Sequence, residues 1–395
     1  MDGIILIVTA IFPPEPVVSA NLSFDIARRL SNSNKVVVIS PKPTRPMGMQ
    51  FSPVQTPNKF EHVILDSYTF PKSELIGRMK ESYSFGKETA KFIEANKNRI
   101  KVIYANTWPL FGQFFLIKAA KKYNIPVVLH VQDVYPDSIT KKITGIAGKI
   151  IFSALLPLDK YILKNSRKVI GISQDMIDYL KSSRKIKEDK FVFIRNWQND
   201  EIFMQEFDAN TNKDFTFMFL GNISASAGVE VLIQAFHKAA IENSKLVIAG
   251  SGADKEKCMQ LAKQLKNDNV VFCEARQEEV SRLQSQANVL LLPLKKGISL
   301  TATPSKLTAY MFSAKPVLAC VEKESDTAKI IDDCKGGLIS EPENIEQLAA
   351  TMQQISKLSQ VALKKMGDNS RLFAAEHLSK KVNLEKLAVV IESIK

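Results

Sequence analysis

Two short glycine-containing segments stand where a backbone can hold a phosphate group. Gly221–Gly228 and Gly250–Gly252 each follow an apolar run and precede an amphipathic stretch. Glycine lets the backbone approach a ligand closely, and the N–H groups at a helix start favour an anion such as a diphosphate. Each segment alone is also typical of an ordinary tight turn, and neither has the G-x-G-x-x-G spacing of dinucleotide sites. Together they predict a phosphate-binding face formed by Gly221, Asn222, Gly250, Ser251 and Gly252.

A lysine at a predicted helix start adds a cation to this chemistry. Pro304, Ser305 and Lys306 open an amphipathic stretch that follows the loop 295–303. Ser305 can cap the helix, and Lys306 brings a positive charge next to exposed N–H groups, which suits a diphosphate. An ordinary capped helix start is the alternative interpretation.

In the first half, polar residues follow the apolar run 126–131. His130 lies near the end of this run and Asp133 directly beyond it, where a strand end would face a ligand. A hydrogen-bonded structural histidine is the alternative. A second segment follows the first apolar run of the chain, and we expect it to border the same site. Its candidate residues are Pro14, Glu15, Ser19 and Asn21.

The elements that must position these residues follow one pattern along the whole chain. Short β-branched runs such as Ile4–Thr9 alternate with amphipathic stretches, which is typical of βα units around a parallel sheet. The pattern is interrupted near 197–213 and restarts at Phe215. The chain is therefore predicted to be α/β, with two doubly wound halves that bind ligands beyond the carboxyl ends of their strands.

One long stretch, Ser138–Lys164, is apolar and flanked by lysines. Its apolar residues recur near helical spacing, namely at Ile143, Ile146, Ile150, Leu155 and Leu158. Lys149, Pro157 and Asp159 interrupt the ~20 apolar residues that a membrane span needs. We favour a core helix of the first half, and a helix lying flat on a membrane surface is the alternative.

The net charge of +13 resides in the first half of the chain. Residues 1–198 contain 30 Lys and Arg against 16 Asp and Glu, whereas residues 199–395 contain 24 against 25. This asymmetry indicates an anionic partner, such as nucleic acid, an anionic membrane surface or a phosphate-bearing substrate, and charge for solubility alone is the alternative. The basic residues are not interleaved with aromatic ones, so we expect no nucleic acid.

Several reaction and cofactor classes lack their sequence signatures. The chain has no G-x-x-x-x-G-K-[ST] phosphate loop, no G-x-S-x-G nucleophile elbow and no H-E-x-x-H zinc motif. The 4 cysteines are far apart, which is typical of buried thiols in a reducing compartment, and no Asp, His or Cys cluster has metal-ligand spacing. The first residues also lack the basic start of a signal peptide. We therefore expect a cytoplasmic protein that needs no metal.

Short motifs occur in an order that resembles one enzyme family. They are Phe12-Pro13-Pro14-Glu15, Asp133-Val134-Tyr135-Pro136-Asp137-Ser138, Arg195-Asn196-Trp197, Phe219-Leu220-Gly221-Asn222 and Pro304-Ser305-Lys306-Leu307. On these motifs the chain resembles the retaining glycosyltransferases of family 4, which have the GT-B fold, over nearly its whole length. Within the family it looks most like the branch that builds bacterial capsule and O-antigen sugars, a part of lipopolysaccharide biosynthesis.

The resemblance implies an architecture. Residues 1–197 would form an acceptor-binding Rossmann-like domain, and residues 198–376 a nucleotide-sugar-binding one, with the two facing across a cleft. Residues 377–395 would form a C-terminal helix that packs back on the first domain.

The resemblance also implies roles for the candidate residues. The donor diphosphate would be bound by Gly221, Asn222, Pro304, Ser305 and Lys306. Arg276 would lie near the base or the diphosphate, and His130 and Asp133 near the reacting sugar. The implied substrates are a nucleotide sugar, for which we expect a UDP-linked N-acetylhexosamine, and a saccharide on polyprenyl diphosphate at an anionic membrane surface. No cofactor is expected.

The chain departs from the family at three positions. Many members carry two glutamates at the positions of Thr301 and Ala309, and a basic residue at that of Ala227. Lys306 can supply the missing cation. The missing donor-sugar carboxylate motivates one alternative function, a non-catalytic binding or scaffold subunit of the same fold. A nucleotide-sugar epimerase is the other alternative, although the chain offers few of the acidic and basic residues that such an enzyme needs around the sugar.

Overall fold

The computed structural model describes residues 3–45, 47, 49, 51, 59–71, 74–106, 110–140, 143, 145–197, 199–205, 207, 214–225, 227–297 and 304–394. Thr301 and much of the predicted 197–213 linker lie outside these residues. The chain separates into two compact units. Unit 1 comprises Met1–Gln198 with Asn383–Lys395, and unit 2 comprises Asn199–Val382.

Unit 1 is built on short strands whose apolar side chains are buried on both faces, as expected for a parallel sheet covered by helices. Its elements are β1 (Ile4–Val8), α1 (Val18–Leu30), β2 (Val36–Ser40), β3 (Glu61–Ile64), α2 (Leu75–Asn96), β4 (Ile100–Asn106), α3 (Leu110–Lys122), β5 (Val127–Val131), α4 (Asp137–Thr140), α5 (Gly145–Asn165), β6 (Lys168–Gly171), α6 (Gln174–Arg184) and β7 (Phe191–Phe193). Over the described residues the strand order is β3-β2-β1-β4-β5-β6-β7, and every paired strand is parallel.

Unit 2 repeats this plan. Its elements, with the helix that ends the chain, are β8 (Phe215–Leu220), α7 (Val229–Ala239), β9 (Ser244–Ala249), α8 (Lys255–Gln264), β10 (Val270–Cys273), α9 (Val280–Ser285), β11 (Val289–Pro293), α10 (Ser305–Phe312), β12 (Val317–Cys320), α11 (Asp326–Cys334), β13 (Gly337–Ser340), α12 (Ile345–Ser356), α13 (Gln360–His377) and α14 (Lys380–Glu392). The described strands form a parallel sheet of order β10-β9-β8-β11-β12-β13.

The two strand orders identify where each unit can bind a ligand. In unit 1 the chain order reverses between β1 and β4, and in unit 2 between β8 and β11. At such a switch point the flanking connections leave in opposite directions and open a crevice at the carboxyl ends of the strands. The predicted pair of doubly wound Rossmann-like domains is confirmed.

The C-terminal helix packs on unit 1, as the predicted fold class requires. Leu387, Ala388 and Ile391 of α14 are buried in the same apolar cluster as Ile5 of β1. Arg29 of α1 binds the Glu385 carboxylate with two hydrogen bonds of 2.6 and 2.5 Å. The helix begins at Lys380 rather than near 377, because a separate helix, α13, continues to His377.

The stretch Ser138–Lys164 differs from its prediction. It forms α4 and α5, and only the second half of α5 is a core helix, with Leu155 and Ile162 buried. Ile146 and Ile150 in the first half are 77% and 63% exposed. The predicted core helix is therefore limited to the second half of α5, because Ile146 and Ile150 point away from the side that Leu155 buries.

Candidate functional site

The turns after β8 and β9 lie against each other at the carboxyl edge of the unit 2 sheet. Gly221 donates its N–H to the Ala249 carbonyl at 2.9 Å, and Ile223 donates to the Ser251 carbonyl at 2.8 Å. We call this pair of turns, residues 221–223 and 250–252, the stacked turns. The two glycine segments that the sequence marked as phosphate-binding are thus neighbours in space.

Side chains have no room inside the stacked turns. Gly250 and Gly252 have φ angles of +145° and +157°, a backbone conformation that favours glycine. A Cβ atom on Gly250 would stand 2.1 Å from the Gly221 carbonyl oxygen, and one on Gly252 would stand 2.1 Å from that of Ile223. Backbone therefore forms this part of the sheet edge.

Lys306 brings a positive charge to the same place. Its side chain lies on Gly221, where a Cβ atom would be 2.2 Å from Lys306 Cε and 2.6 Å from Nζ. The ammonium stands 4.4 Å from the Phe219 ring centroid. Burial lowers the pKa of this lysine, and no carboxylate within the described part of the chain lies at ion-pair distance from its Nζ. A half-buried cation that has no counter-ion among the described residues, and that lies at a switch point, is suited to an anionic ligand.

Tyr310 fixes α10 to the end of β8. Its buried hydroxyl accepts a hydrogen bond from the Leu220 N–H at 3.0 Å and donates one to the Leu220 carbonyl at 3.1 Å. Lys306 lies one turn earlier on α10, at the i, i+4 spacing that places two side chains on one helix face. Tyr310 therefore positions Lys306 over Gly221.

Replacing Tyr310 by phenylalanine is expected to destabilise unit 2 by about 1–3 kcal/mol, because both buried backbone groups of Leu220 lose their partner. Amide hydrogen exchange at Leu220 measures this effect and should become faster. Tyr104→Phe removes a completely buried hydroxyl from unit 1 instead and is the matched control, with no change expected at Leu220. Wild-type exchange in Tyr310→Phe would contradict the anchoring role.

The start of α10 differs from the prediction in one detail. Pro304 occupies the N-cap position and makes no side-chain capping bond. Ser305 is the first helical residue and its side chain is exposed. The capping role predicted for Ser305 is therefore wrong, because the helix begins one residue too early for it.

The remaining donor-side candidates divide into two groups. Asn222 and Ser251 are exposed within the stacked turns, which Lys306 contacts at Gly221. Arg276 is also exposed, but it follows β10, which the strand order places two strands away from β8. The structure thus brings the glycine segments and Lys306 together and leaves Arg276 at the outer end of the same edge.

Sequence reasoning missed a second lysine at this edge. Lys295 follows β11, and its Cγ lies 3.9 Å from where a Cβ on Gly228 would stand. Its ammonium pairs with Glu230 of α7 at 2.8 Å, and this hydrogen bond raises the pKa of the lysine. The sequence feature that could have identified Lys295 is its position directly after an apolar run, which forms the buried strand β11. Because Glu230 neutralises Lys295, its role differs from that of Lys306.

Two departures from the family pattern lie in the apolar interior. Ala227 is buried beside α7, and Ala309 is buried in α10. Alanine fits both surroundings, so position 227 contributes no charge, and the positive charge of this edge comes from Lys306.

In unit 1 the predicted histidine is completely buried. His130 belongs to β5, and its Nδ1 stands 2.8 Å from the Tyr104 hydroxyl oxygen. Burial lowers its pKa to about 4, so the imidazole is neutral near pH 7. These surroundings are those of a hydrogen-bonded core histidine, whereas Asp133 beyond the end of β5 is exposed.

His130 predicts a pH dependence of stability. Its pKa in the folded chain, about 4, lies below the ordinary 6.5, so as the pH falls the unfolded chain takes up a proton that the folded chain does not. From this residue alone, the free energy of unfolding of unit 1 should fall by about 2 kcal/mol between about pH 7 and about pH 4.5.

Tryptophan emission can measure this change in unit 1. The chain has 2 tryptophans, Trp108 and Trp197, and both belong to unit 1. His130→Asn keeps a hydrogen-bonding atom for Tyr104 but does not titrate, so its urea unfolding should lose this part of the pH dependence. An equal pH dependence in both proteins would show that His130 does not cause it.

A buried carboxylate holds the predicted acceptor-side loop. Glu15 is 4% exposed and accepts the N–H groups of Thr44 and Arg45 at 2.8 Å each. Burial raises its pKa, which these two bonds oppose. Arg45 in turn binds Glu81 at 2.7 Å. Glu15 therefore fixes the loop that contains Thr44 and Arg45. The other candidate acceptor-side residues are half-buried or exposed, namely Pro14, Ser19 and Asn21.

The switch point of unit 1 holds a polar network that sequence reasoning missed. Ser23 Oγ lies 3.0 Å from Thr9 Oγ1 and accepts a hydrogen bond from Asn106 Nδ2 at 3.1 Å. Thr9 follows β1 and Asn106 ends β4, the two strands that flank the switch point. Polar residues at the ends of two apolar runs were the signal available in the sequence.

A buried arginine connects α4, α5 and α6. Arg184 donates to Asp159 at 2.8 Å and to the Tyr135 carbonyl at 3.1 Å, and it also pairs with Asp137. Burial raises the pKa of Asp159 to about 6, although Arg184 opposes the shift. Asp137, part of the family motif at 133–138, therefore has a structural partner.

Two features are absent from the described residues. Among these residues, no group of three or more His, Cys, Asp and Glu side chains is placed to hold a metal ion. No helix in that part of the chain combines the length and the apolar character that crossing a bilayer requires.

Comparison with known proteins assigns both halves of the chain. The family model described as "Glycosyltransferase Family 4" matches residues 20–201, and the one described as "Glycosyl transferases group 1" matches residues 200–373. The chain is 26% identical over 286 residues to the probable glycosyltransferase WbjE of Pseudomonas aeruginosa, which covers 68% of each protein. It is 24% identical over 253 residues to the putative colanic acid biosynthesis glycosyl transferase WcaI of Escherichia coli, covering 60% of this chain and 61% of that protein.

Among solved structures, the fold is similar to that of the Anabaena protein HepE in complex with UDP and glucose. The TM-score is 0.70 at 14% identity, with 98% of this chain and 99% of HepE covered. At this identity the likeness shows the fold alone. The matched halves and the two relatives support a family 4-like glycosyltransferase, and the chain has the GT-B fold.

Proposed function

We propose that this protein transfers a sugar from a nucleoside-diphosphate sugar to a lipid-linked saccharide in the synthesis of a bacterial surface polysaccharide, with retention of the anomeric configuration. The observation that carries the proposal is Lys306, a half-buried cation without a carboxylate partner in the described residues, at the β8/β11 switch point. A diphosphate is the group of the substrate that such a cation would bind. Both WbjE and WcaI are named as glycosyltransferases, which supports sugar transfer, and the name of WcaI also refers to colanic acid biosynthesis.

The donor is proposed to bind with its diphosphate between the stacked turns and the start of α10. Backbone at Gly221 and Gly250 permits close approach, and Lys306 supplies the charge. UDP is the nucleotide we propose, which the UDP complex of HepE supports. A UDP-linked N-acetylhexosamine is the first donor to test.

The proposed chemistry follows from where charge develops. When the bond between the sugar and the diphosphate breaks, the electron pair stays on the diphosphate, which becomes more negative. A desolvated cation that is already in place stabilises this change more than it stabilises the bound donor, and this difference lowers the barrier. Lys306 would provide that stabilisation, so we propose a reaction that needs no metal ion.

The acceptor is proposed to bind unit 1, which carries the excess of basic residues. A saccharide on polyprenyl diphosphate has both the negative charge that this unit would attract and a lipid that keeps it at a membrane. We therefore place the reaction in the cytoplasm, at the inner face of the cell membrane.

The test begins with a thermal-shift panel of nucleotides and nucleotide sugars, because a ligand that binds the folded protein raises its apparent stability. Transfer to a lipid-linked saccharide is then assayed with the donor that binds, with and without a chelator. Transfer with an unchanged anomeric configuration in the presence of chelator is expected. Binding without transfer would favour a scaffold subunit, and isomerisation of the donor without acceptor would favour an epimerase.

A further inference from the structure

Two helices on one side of the unit 1 sheet, α2 and α5, expose apolar residues to solvent. α3 packs between α2 and α5, and all three cover the same apolar cluster. On the outer side of this layer, Ile76, Ile146 and Ile150 are 71%, 77% and 63% exposed. We call the outer side of α2, α3 and α5 the three-helix face.

Apolar and basic residues share one stripe on each long helix of this face. On α5 the exposed or half-buried positions recur every three or four residues at Ile146, Lys149, Ile150, Ser153, Pro157, Lys160 and Lys164. On α2 the corresponding stripe is Ile76, Lys80, Tyr83, Lys87 and Lys91. A stripe of this composition is typical of helices that lie in the interface of an anionic bilayer.

The acidic residues of the three helices are already paired. The helices carry 9 lysines and 1 arginine against 4 acidic residues. Glu81 and Asp159 are buried against arginines, and Glu88 and Glu94 pair with Lys91 and Lys122. The remaining lysines leave a positive potential that complements an anionic surface.

Aromatic rings cross the face from helix to helix. The ring centroids of Tyr83 on α2 and Phe115 on α3 are 5.1 Å apart. The Phe114 ring centroid is 5.7 Å from that of Phe115 and 5.5 Å from that of Tyr161 on α5. Lysines stand over several of these rings, with Lys87 4.7 Å from the Tyr83 centroid. Tyrosine and lysine side chains each combine an apolar body with a polar end, so they suit the boundary between lipid headgroups and acyl chains.

The topology orients the face toward the ligand-binding edge of unit 1. Each of the three helices connects parallel strands, so each begins at the carboxyl edge of the sheet and ends at the opposite edge. Ile76, Ile146 and Ile150 lie in the first turns and therefore near the carboxyl edge. Lys160 and Lys164 lie near the helix ends.

We infer that the three-helix face docks unit 1 on the surface of an anionic phospholipid bilayer, with the isoleucines near the carboxyl edge inserted and the lysines at the headgroups. This inference extends the proposed function and rests on it, because the proposed lipid-linked acceptor is the reason to expect a membrane as the partner. It identifies the surface that would hold unit 1 where a lipid-linked acceptor resides.

Vesicle co-sedimentation of the full chain tests the inference. Vesicles of phosphatidylglycerol and phosphatidylethanolamine are compared with vesicles of phosphatidylcholine. Wild-type protein should bind the anionic vesicles only, and Ile146→Ser/Ile150→Ser should bind them about tenfold more weakly. Each lysine of the face replaced by glutamine should weaken binding about fivefold at low salt.

The chain offers a matched control. Val361 and Leu372 of α13 are 79% and 61% exposed in unit 2, so Val361→Ser/Leu372→Ser removes a similar exposed apolar area elsewhere and should bind vesicles like wild type. Equal binding of Ile146→Ser/Ile150→Ser and wild type, or no binding of wild type to anionic vesicles, would overturn the inference. A dimer that this double variant dissociates would assign the face to a second copy and would overturn it too.

UDP titration separates this inference from the proposed function. The Ile146→Ser/Ile150→Ser variant should bind UDP like wild type, because both substitutions are in unit 1 and Lys306 is in unit 2. If wild type binds vesicles but not UDP, the proposed function fails and the docking surface stands.

Discussion

Lys306→Ala is expected to lower turnover about 10²–10³-fold, the size of effect seen when one preorganised donor to a developing negative charge is removed. The structure gives the reason: the ammonium lies on Gly221, beside the stacked turns, and is held there by the Tyr310 anchor one turn later. Folding should be unaffected or slightly more favourable, because the substitution removes a partly desolvated charge. The measurement is the rate of transfer, or of donor hydrolysis, with the donor that the thermal-shift panel identifies.

Lys315→Ala is the matched control for this substitution. Lys315 is also half-buried, and burial also lowers its pKa, but it follows the other end of α10, at the amino edge of the sheet. Its loss should change turnover by less than about twofold, since surface and partly exposed changes away from a site have small effects. A Lys306→Ala enzyme within about tenfold of wild type would contradict the assigned role.

Arg184→Met is expected to destabilise unit 1 by about 3–5 kcal/mol, because it leaves the buried Asp159 and the half-buried Asp137 without their counter-ion. The Arg184 side chain is 1% exposed, and it pairs with both Asp159 and Asp137. Urea unfolding followed by tryptophan emission reports on unit 1 and should show a lower midpoint. The loss should be smaller at about pH 5, because Asp159, whose pKa is already raised to about 6, then binds a proton.

Two further variants separate the charge effect from simple truncation. Arg167→Met removes an exposed arginine from the same unit and should change the free energy of unfolding by less than about 0.5 kcal/mol. Arg184→Met/Asp159→Leu removes the arginine together with Asp159, the more buried of its two carboxylate partners, and should recover part of the lost stability. No recovery in the double variant would mean that the carboxylates do not cause the loss.

Much of the fold could be predicted because parallel strands buried on both faces leave continuous apolar runs in the sequence. The runs at Ile4–Thr9 and Pro126–Val131 became β1 and β5, and the interruption near 197–213 separates the two units. Strand order could not be predicted in this way. The contact between Lys306 and Gly221 depends on that order, because it requires β11 to lie next to β8.

The sequence predicted which residues lie at strand ends better than it predicted the burial and packing partners of their side chains. His130 stands near a strand end, as expected, but the apolar run around it does not say that its side chain is completely buried against Tyr104. Similarly, the near-helical spacing of apolar residues that include Ile146 and Leu155 predicted a core helix, whereas the helix exposes Ile146 and buries Leu155. In both cases burial depends on neighbours that are distant in sequence, which local periodicity does not contain.

The most direct test of the central claim is a calorimetric titration of wild type and Lys306→Ala with UDP and with uridine. If Lys306 binds the diphosphate, wild type should bind UDP at least about tenfold more tightly than Lys306→Ala does, since a charge-assisted contact contributes about 1.5–3 kcal/mol. Uridine, which has no phosphate, should bind both proteins equally. Equal affinity of the two proteins for UDP would contradict the claim that this switch point binds a nucleoside diphosphate through Lys306.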